Sequence, residues 1–170
     1  MTDSEIIAYY GLTPHPEGGF YRRTYASSVL TEYGGSKRPV CTAILFLLKA
    51  GQYSRLHCIP QDEMWHFYLG GPLRLVLITP DRASFEIVLG QNVSAGHRLQ
   101  YSVPGGSWFG ATPAQGSSYS LVGCTVAPGF CMDELKLGEA HDLLDMFPSA
   151  SHIITEFCPT FTGKDALDGR

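Results

Sequence analysis

Residues 51–70 read G-Q-Y-S-R-L-H-C-I-P-Q-D-E-M-W-H-F-Y-L-G, with His57 and Glu63 on either side of a turn carrying Pro60, Gln61 and Asp62. Both are costly to bury without partners, yet apolar residues surround them. Side chains alternate across a strand, so His57 and Ile59 share one face. Beyond the turn, Glu63, Trp65, Phe67 and Leu69 share a face, while Met64, His66 and Tyr68 point the other way unless a bulge resets the register. The reading predicts two strands, over 53–59 and 64–69, whose ends bring an imidazole and a carboxylate into one aromatic box.

The same rhythm runs outward from this stretch. Short runs rich in Val, Ile, Leu, Phe and Tyr recur over 73–79, 84–89, 98–103, 108–111, 119–126 and 132–137, separated by Gly and Pro turns. The fold class is therefore all-β, a sandwich or barrel of short strands. Upstream, V-C-T-A-I-L-F-L-L at 40–48 is almost continuously apolar, which implies a strand buried on both faces by another sheet and a covering element or partner. Residues 26–39 read as a polar loop. Asp3 or Ser4 can cap a short N-terminal helix that Gly11 ends. Residues 140–157 carry the spacing of one short C-terminal helix and a packed extension. We expect a single domain over 1–158 and a mobile tail over 159–170.

Composition narrows the function. With 170 residues and 44% hydrophobic residues, the chain can bury one substantial core. A formal net charge of -4 and a pI near 5.8 supply no basic stripe for phosphates, so nucleic acid is not expected as a partner. No apolar run is long enough to span a bilayer, and the N-terminus lacks a basic region followed by an apolar one. These features predict a soluble, cytoplasmic protein. The five cysteines Cys41, Cys58, Cys124, Cys131 and Cys158 are odd in number and form no C-x-x-C pair, so they read as reduced thiols.

Gly51, His57, Glu63 and Gly70 fall in register with the first signature of the cupin superfamily, except that Ile59 stands at its second His. Together with H-P-E-G-G-F-Y-R-R-T-Y at 15–25, D-E-M-W-H-F at 62–67, V-P-G-G-S-W-F at 103–109 and G-C-T-V-A-P-G-F at 123–130, the chain resembles cupin family five over roughly residues 4–155. The resemblance implies a double-stranded β-helix, the cupin jelly roll, and often a dimer. A metal-binding cupin holds its ion with three His and one Glu. Here the second signature resembles Pro104-Gly105-Gly106 with Phe109 at the His position, so two of the four ligands are missing. A divalent metal ion, if bound, would rest on His57 and Glu63 alone, and a site that sparse binds weakly.

Without an ion, His57 and Glu63 are candidate acid and base, with His66 as a third candidate should the register shift. Aromatic surroundings would raise the pKa of Glu63 and lower that of His57, while mutual attraction opposes both shifts. Trp65, Phe67, Trp108, Phe109 and Ile59 are expected to line the ligand space, with Cys124 as an inert buried thiol beside them. Gln52 and Ser54, on the strand leading to His57, are candidate polar contacts. Arg22 and Arg23 point to opposite faces of the strand at 20–25; an inward guanidinium suits a carboxylate or phosphate, and the resemblance tips Arg22 towards the pocket. His15, between two prolines, reads as a loop residue.

Function classes follow in order. The leading expectation is an isomerase- or epimerase-like enzyme that moves a proton beside a carbonyl of a sugar-like or other small polar substrate. A metal-dependent enzyme with an incomplete ligand set and a non-catalytic small-molecule binder are the alternatives. A homodimer is expected because the strand at 40–48 and the aromatic N-terminal strand offer surplus apolar surface.

Overall fold

The structure is a computed structural model, and it describes residues 1–158. The expected mobile tail at 159–170 lies outside the described residues. Helix α1 (Asp3–Tyr10) is followed by β1 (Thr13–Pro14), β2 (Phe20–Ala26), β3 (Leu30–Tyr33), β4 (Ser36–Pro39) and β5 (Thr42–Lys49). Then come β6 (Ser54–Cys58), β7 (Asp62–Gly70), β8 (Leu73–Ile78), β9 (Ser84–Leu89), β10 (Gln100–Val103), β11 (Trp108–Pro113), β12 (Tyr119–Ala127) and β13 (Lys136–Leu137). Helices α2 (Ala140–Met146) and α3 (Ser151–Phe157) close the described chain.

Two antiparallel sheets carry the molecule: six strands in the order β1-β2-β5-β12-β7-β10, and five in the order β13-β6-β11-β8-β9. Their inward residues interdigitate in one core that includes Phe46, Leu48, Trp65, Phe67, Leu75, Leu77, Phe109 and Val122. This is the all-β jelly roll that the alternation and the resemblance predict.

Each sheet also buries part of its outer face, which explains the unbroken apolar run of β5. Leu47 and Leu121 pack under Ile6 of α1, so the N-terminal helix is the covering element. That helix starts with a capping box between Thr2 and Glu5, one residue before the expected cap, and ends at left-handed Gly11. On the other sheet, Leu56, Val76 and Ile78 are covered by Leu143, Ile153, Ile154 and Phe157 of α2 and α3. The C-terminal segment thus forms two helices where one was expected.

Two further expectations need correcting. The polar loop at 26–39 is a hairpin, with β3 and β4 paired from Leu30 opposite Pro39 to Tyr33 opposite Ser36. Most of 132–137 is not strand: a 3-10 turn spans Met132–Glu134, and only Lys136–Leu137 pairs, with β6. The two corrections concern one structure, because Arg38 of the hairpin donates to both carboxylate oxygens of Glu134, at 2.6 and 2.7 Å. Gln61, in the turn before β7, donates to the same carboxylate at 2.6 Å.

Candidate functional site

Between the sheets lies a cavity of about 60 Å³, lined among others by His15, Glu17, Tyr21, Arg23, His57, Ile59, Glu63, Trp65 and Cys124. His57 arrives from the five-stranded sheet and Glu63 from the six-stranded one. The predicted period holds along β7, where Glu63, Trp65 and Phe67 are buried. It fails at Leu69, which is 45% exposed, because a bulge against Leu121 and Val122 shifts the register.

Glu17 is the residue that sequence reasoning missed. Its backbone carbonyl accepts from Arg55 N–H at 2.9 Å, which fixes the loop 15–19 against β6. Gly18 makes that approach possible: its φ is +109°, and a Cβ there would sit 2.3 Å from the carbonyl oxygen of Tyr53. The loop delivers the Glu17 carboxyl to His57, with Oε2 lying 3.4 Å from Nε2. Ser54, buried on β6, donates its hydroxyl to the same Oε2 at 3.1 Å. The immediate acidic partner of His57 is therefore Glu17, where Glu63 was expected; Glu63 shares the cavity. The signal was present in H-P-E-G-G, since an acid followed by two glycines marks backbone held close to another strand.

The hydrogen bonds assign the protons. His57 Nδ1 faces the carbonyl oxygen of Arg55 at 2.8 Å, and a carbonyl only accepts, so Nδ1 carries the hydrogen. In the neutral ring, Nε2 then presents a lone pair to Glu17. His15 Nδ1 accepts the backbone N–H of Glu17 at 3.3 Å, so its lone pair is also on the Glu17 side, 3.7 Å from Oε2. The His15 lone pair is therefore taken up by the Glu17 backbone, and a proton on Glu17 Oε2 has the free lone pair of His57 Nε2 beside it.

Burial sets the charges. Desolvation pulls His57 down to about 4 against the help of its Arg55 hydrogen bond, so the ring is neutral at pH 7. Desolvation pushes Glu17 up to about 7, with His15 and the Ser54 hydroxyl pulling the other way. Glu63 rises to about 8, first through burial and then through repulsion from Glu17, while the Cys124 hydrogen bond opposes the shift. His15 is lowered, again chiefly by desolvation. The competition left unsigned by the sequence is won by desolvation at both His57 and Glu63. Cys124 is held well above the usual thiol range by burial and by Glu63, which makes it a hydrogen-bond partner rather than a nucleophile.

Several sequence candidates lie elsewhere. Arg22 is on the outer face of β2 and donates to the Tyr10 carbonyl at 2.8 Å; the strand parity is as predicted, but Arg23 is the cavity residue. His66 faces away from the cavity, stacked on Tyr68 and 3.3 Å from the Thr125 hydroxyl. Trp108 packs with the C-terminal helices on the far side of the five-stranded sheet. Phe67 and Phe109 belong to the core behind the cavity, Phe109 lying edge-on to His57 with ring centroids 4.1 Å apart. Gln52 closes a turn, its side chain accepting from Lys49 N–H. Ser54 acts through Glu17. His15, expected as a loop residue, has a side chain only 7% exposed and lines the cavity.

A metal of the cupin kind does not fit this donor set. Ile59 forms part of the cavity wall and Phe109 part of the core, and neither offers a donor. Among the described residues no three His, Cys, Asp or Glu side chains group as a metal site.

A family model described as Cupin superfamily (DUF985), Cupin_5, matches residues 4–138. Among solved structures, a hypothetical protein from Leishmania major is 32% identical with a TM-score of 0.88, over 93% of this chain and 99% of that one. A protein from Shewanella oneidensis is 35% identical with a TM-score of 0.86, over 93% and 98%. A cupin 2 domain-containing protein from Halorhodospira halophila, 15% identical with a TM-score of 0.56 over 87% and 88%, shares the fold. No curated protein matches.

Proposed function

The chain belongs to Cupin_5, and from that premise we propose that it is an isomerase- or epimerase-like enzyme that moves a proton on a small polar molecule held between the sheets. The observation that carries the proposal is the Glu17 carboxyl, held between the His57 Nε2 lone pair and the Ser54 hydroxyl with the His15 ring beside it, in one cavity with a second carboxyl, Glu63.

At neutral pH the two carboxyls suit different tasks. Glu17, at about 7, is ionised in about half of the molecules. Glu63, at about 8, is mostly protonated. Ionised Glu17 takes a proton from the carbon beside a carbonyl; the C–H electrons form the new C=C bond, and the carbonyl oxygen takes the proton of Glu63. Return of both protons, with the carbon reprotonated on its other face or at the neighbouring carbon, gives an epimer or an isomer. Protonated Glu17 directs its hydrogen towards His57 Nε2, 3.4 Å away, and keeps the proton, because burial pulls His57 down to about 4. Nothing in the sequence of steps requires a cofactor beyond these side chains.

Exchange with solvent tests this. In deuterium oxide the protein should introduce deuterium beside the carbonyl of a small 2-hydroxyketone or aldose, and Glu17→Gln should slow that exchange by roughly 100-fold or more. Exchange at the same rate in Glu17→Gln and His57→Gln would remove the proposal and leave a non-catalytic binder.

The proposed setting is the cytoplasm, which suits five free thiols. Among the described residues no helix is long and apolar enough to cross a membrane. A homodimer is also proposed, on altered grounds: α1 covers much of the outer face of β5, but Tyr25, Val29, Leu30 and Val40 remain exposed around the β3-β4 hairpin. Sedimentation showing a monomer at micromolar concentration would contradict it.

A further inference from the structure

Among the described residues, two donors carried by cavity-lining side chains have no partner. Trp65 is 1% exposed and lines the cavity, and its Nε1–H is buried without a hydrogen-bond acceptor. Burying an indole N–H without an acceptor is unfavourable, and interiors usually avoid it. Arg23 lines the same cavity from an exposed position on β2, and among the described residues no hydrogen bond or ion pair engages its guanidinium. The other deep polar groups, Glu17 and Glu63, are carboxyls that burial holds towards their neutral forms. The polarity is therefore layered, with a cation at the mouth and two carboxyls and an indole N–H within. An anion driven to the bottom would meet two carboxyls in a dry space, whereas an uncharged carbonyl oxygen there has the Trp65 N–H and the protonated Glu63 as donors.

We infer that the ligand is a small oxyacid carrying a carbonyl group, its anionic end on Arg23 and its carbonyl oxygen accepting from Trp65 Nε1–H. The inference rests on the proposed function, since this carbonyl is the one whose neighbouring proton moves. Size agrees: about 60 Å³ is room for a few waters, at ~10–15 Å³ each, or for a three- to four-atom fragment. The anionic end stays at the rim, where a carboxylate or a phosphate keeps part of its hydration.

The test uses the two tryptophans as internal reporters. In 15N-labelled protein the indole N–H resonances of Trp65 and Trp108 are followed during titration with pyruvate, dihydroxyacetone phosphate and methyl pyruvate. Trp65→Phe assigns the Trp65 signal, and the remaining Trp108 signal, from the far side of the five-stranded sheet, reports whether that variant is folded. The expected result is that pyruvate or dihydroxyacetone phosphate moves the Trp65 resonance and leaves that of Trp108 in place. Neutral methyl pyruvate should bind about 10- to 100-fold more weakly than pyruvate, and Arg23→Gln should weaken the anionic probes by the same factor while sparing the ester. Whichever anionic probe binds more tightly identifies carboxylate or phosphate at the rim. The inference is overturned if neither anion moves the Trp65 resonance, or if Arg23→Gln binds both as tightly as before. Its failure is separable from that of the proton-transfer reading: a shifted Trp65 signal without deuterium exchange removes the chemistry and keeps the ligand class. Exchange with an unmoved Trp65 signal does the reverse.

Discussion

Glu17 reaches His57 only because its neighbour lacks a side chain. Gly18→Ala would place a Cβ against the Tyr53 carbonyl at a φ that alanine rarely adopts, so the loop must move away from β6. We expect that variant to stay folded, with a lowered melting temperature and a loss of deuterium exchange approaching that of Glu17→Gln, read by circular dichroism and NMR. Ser54→Ala should instead raise the pKa of Glu17 further, since the lost hydroxyl bond is one of the influences that lower it. The pH at which exchange reaches half its maximum would then move upwards. At this scale the sequence was half legible. Alternation placed Glu63, Trp65, His57 and Ile59 around one space, because period two needs no knowledge of the partner strand. It could not say that Glu17 comes nearest to His57, because that contact is made across 40 residues of chain by a loop whose only local mark is two glycines.

At the scale of elements, strands were easier to read than their connections. The strand at 84–89 matches β9 end to end, and most others differ by a residue or two, because turn residues punctuate apolar runs. The β3-β4 hairpin escaped because its strands are short and polar, with Arg38 buried among them. The hairpin holds the turn at Met132–Glu134, and Phe130 and Met132 lie at the cavity, so the Arg38–Glu134–Gln61 cluster fixes part of its wall. Glu134→Ala removes the acceptor from both donors at once. It should lower the melting temperature by roughly 3–6 °C and speed ligand release, measured by calorimetry and stopped flow. Against the outer face of the five-stranded sheet, Phe157 at the end of α3 is fully buried. Phe157→Ala should cost roughly 3–5 kcal/mol of stability while leaving the cavity chemistry intact in the folded fraction.

For the whole molecule, the cavity groups couple folding to pH. Glu17 and Glu63 have folded-state pKa values raised to about 7 and about 8, so between their unfolded value near 4.5 and those points the native state binds the extra protons. Stability from these groups therefore falls as pH rises. His57, lowered to about 4, acts oppositely, adding stability as pH rises from about 4 to its ordinary 6.5. Below 6.5 the effects offset one another; between about 6.5 and 8 only the carboxyls remain, and denaturant midpoints should decline with pH. Glu63→Gln should flatten that decline, by up to about 1.4 kcal/mol per pH unit for the one proton involved. The jelly roll itself was readable from composition and motif spacing. The proton balance was not, because it depends on how completely two sheets and a loop exclude water from three side chains.

The proposed chemistry needs carboxyl groups that keep their protons near neutral pH inside a β-sandwich. A 13C NMR titration of the glutamate side-chain carboxyl carbons, assigned with Glu17→Gln and Glu63→Gln, measures this directly. Midpoints near 7 for Glu17 and near 8 for Glu63 are predicted, with the second falling when Glu17 is made neutral. Midpoints for both at the ordinary 4 to 5 would contradict it.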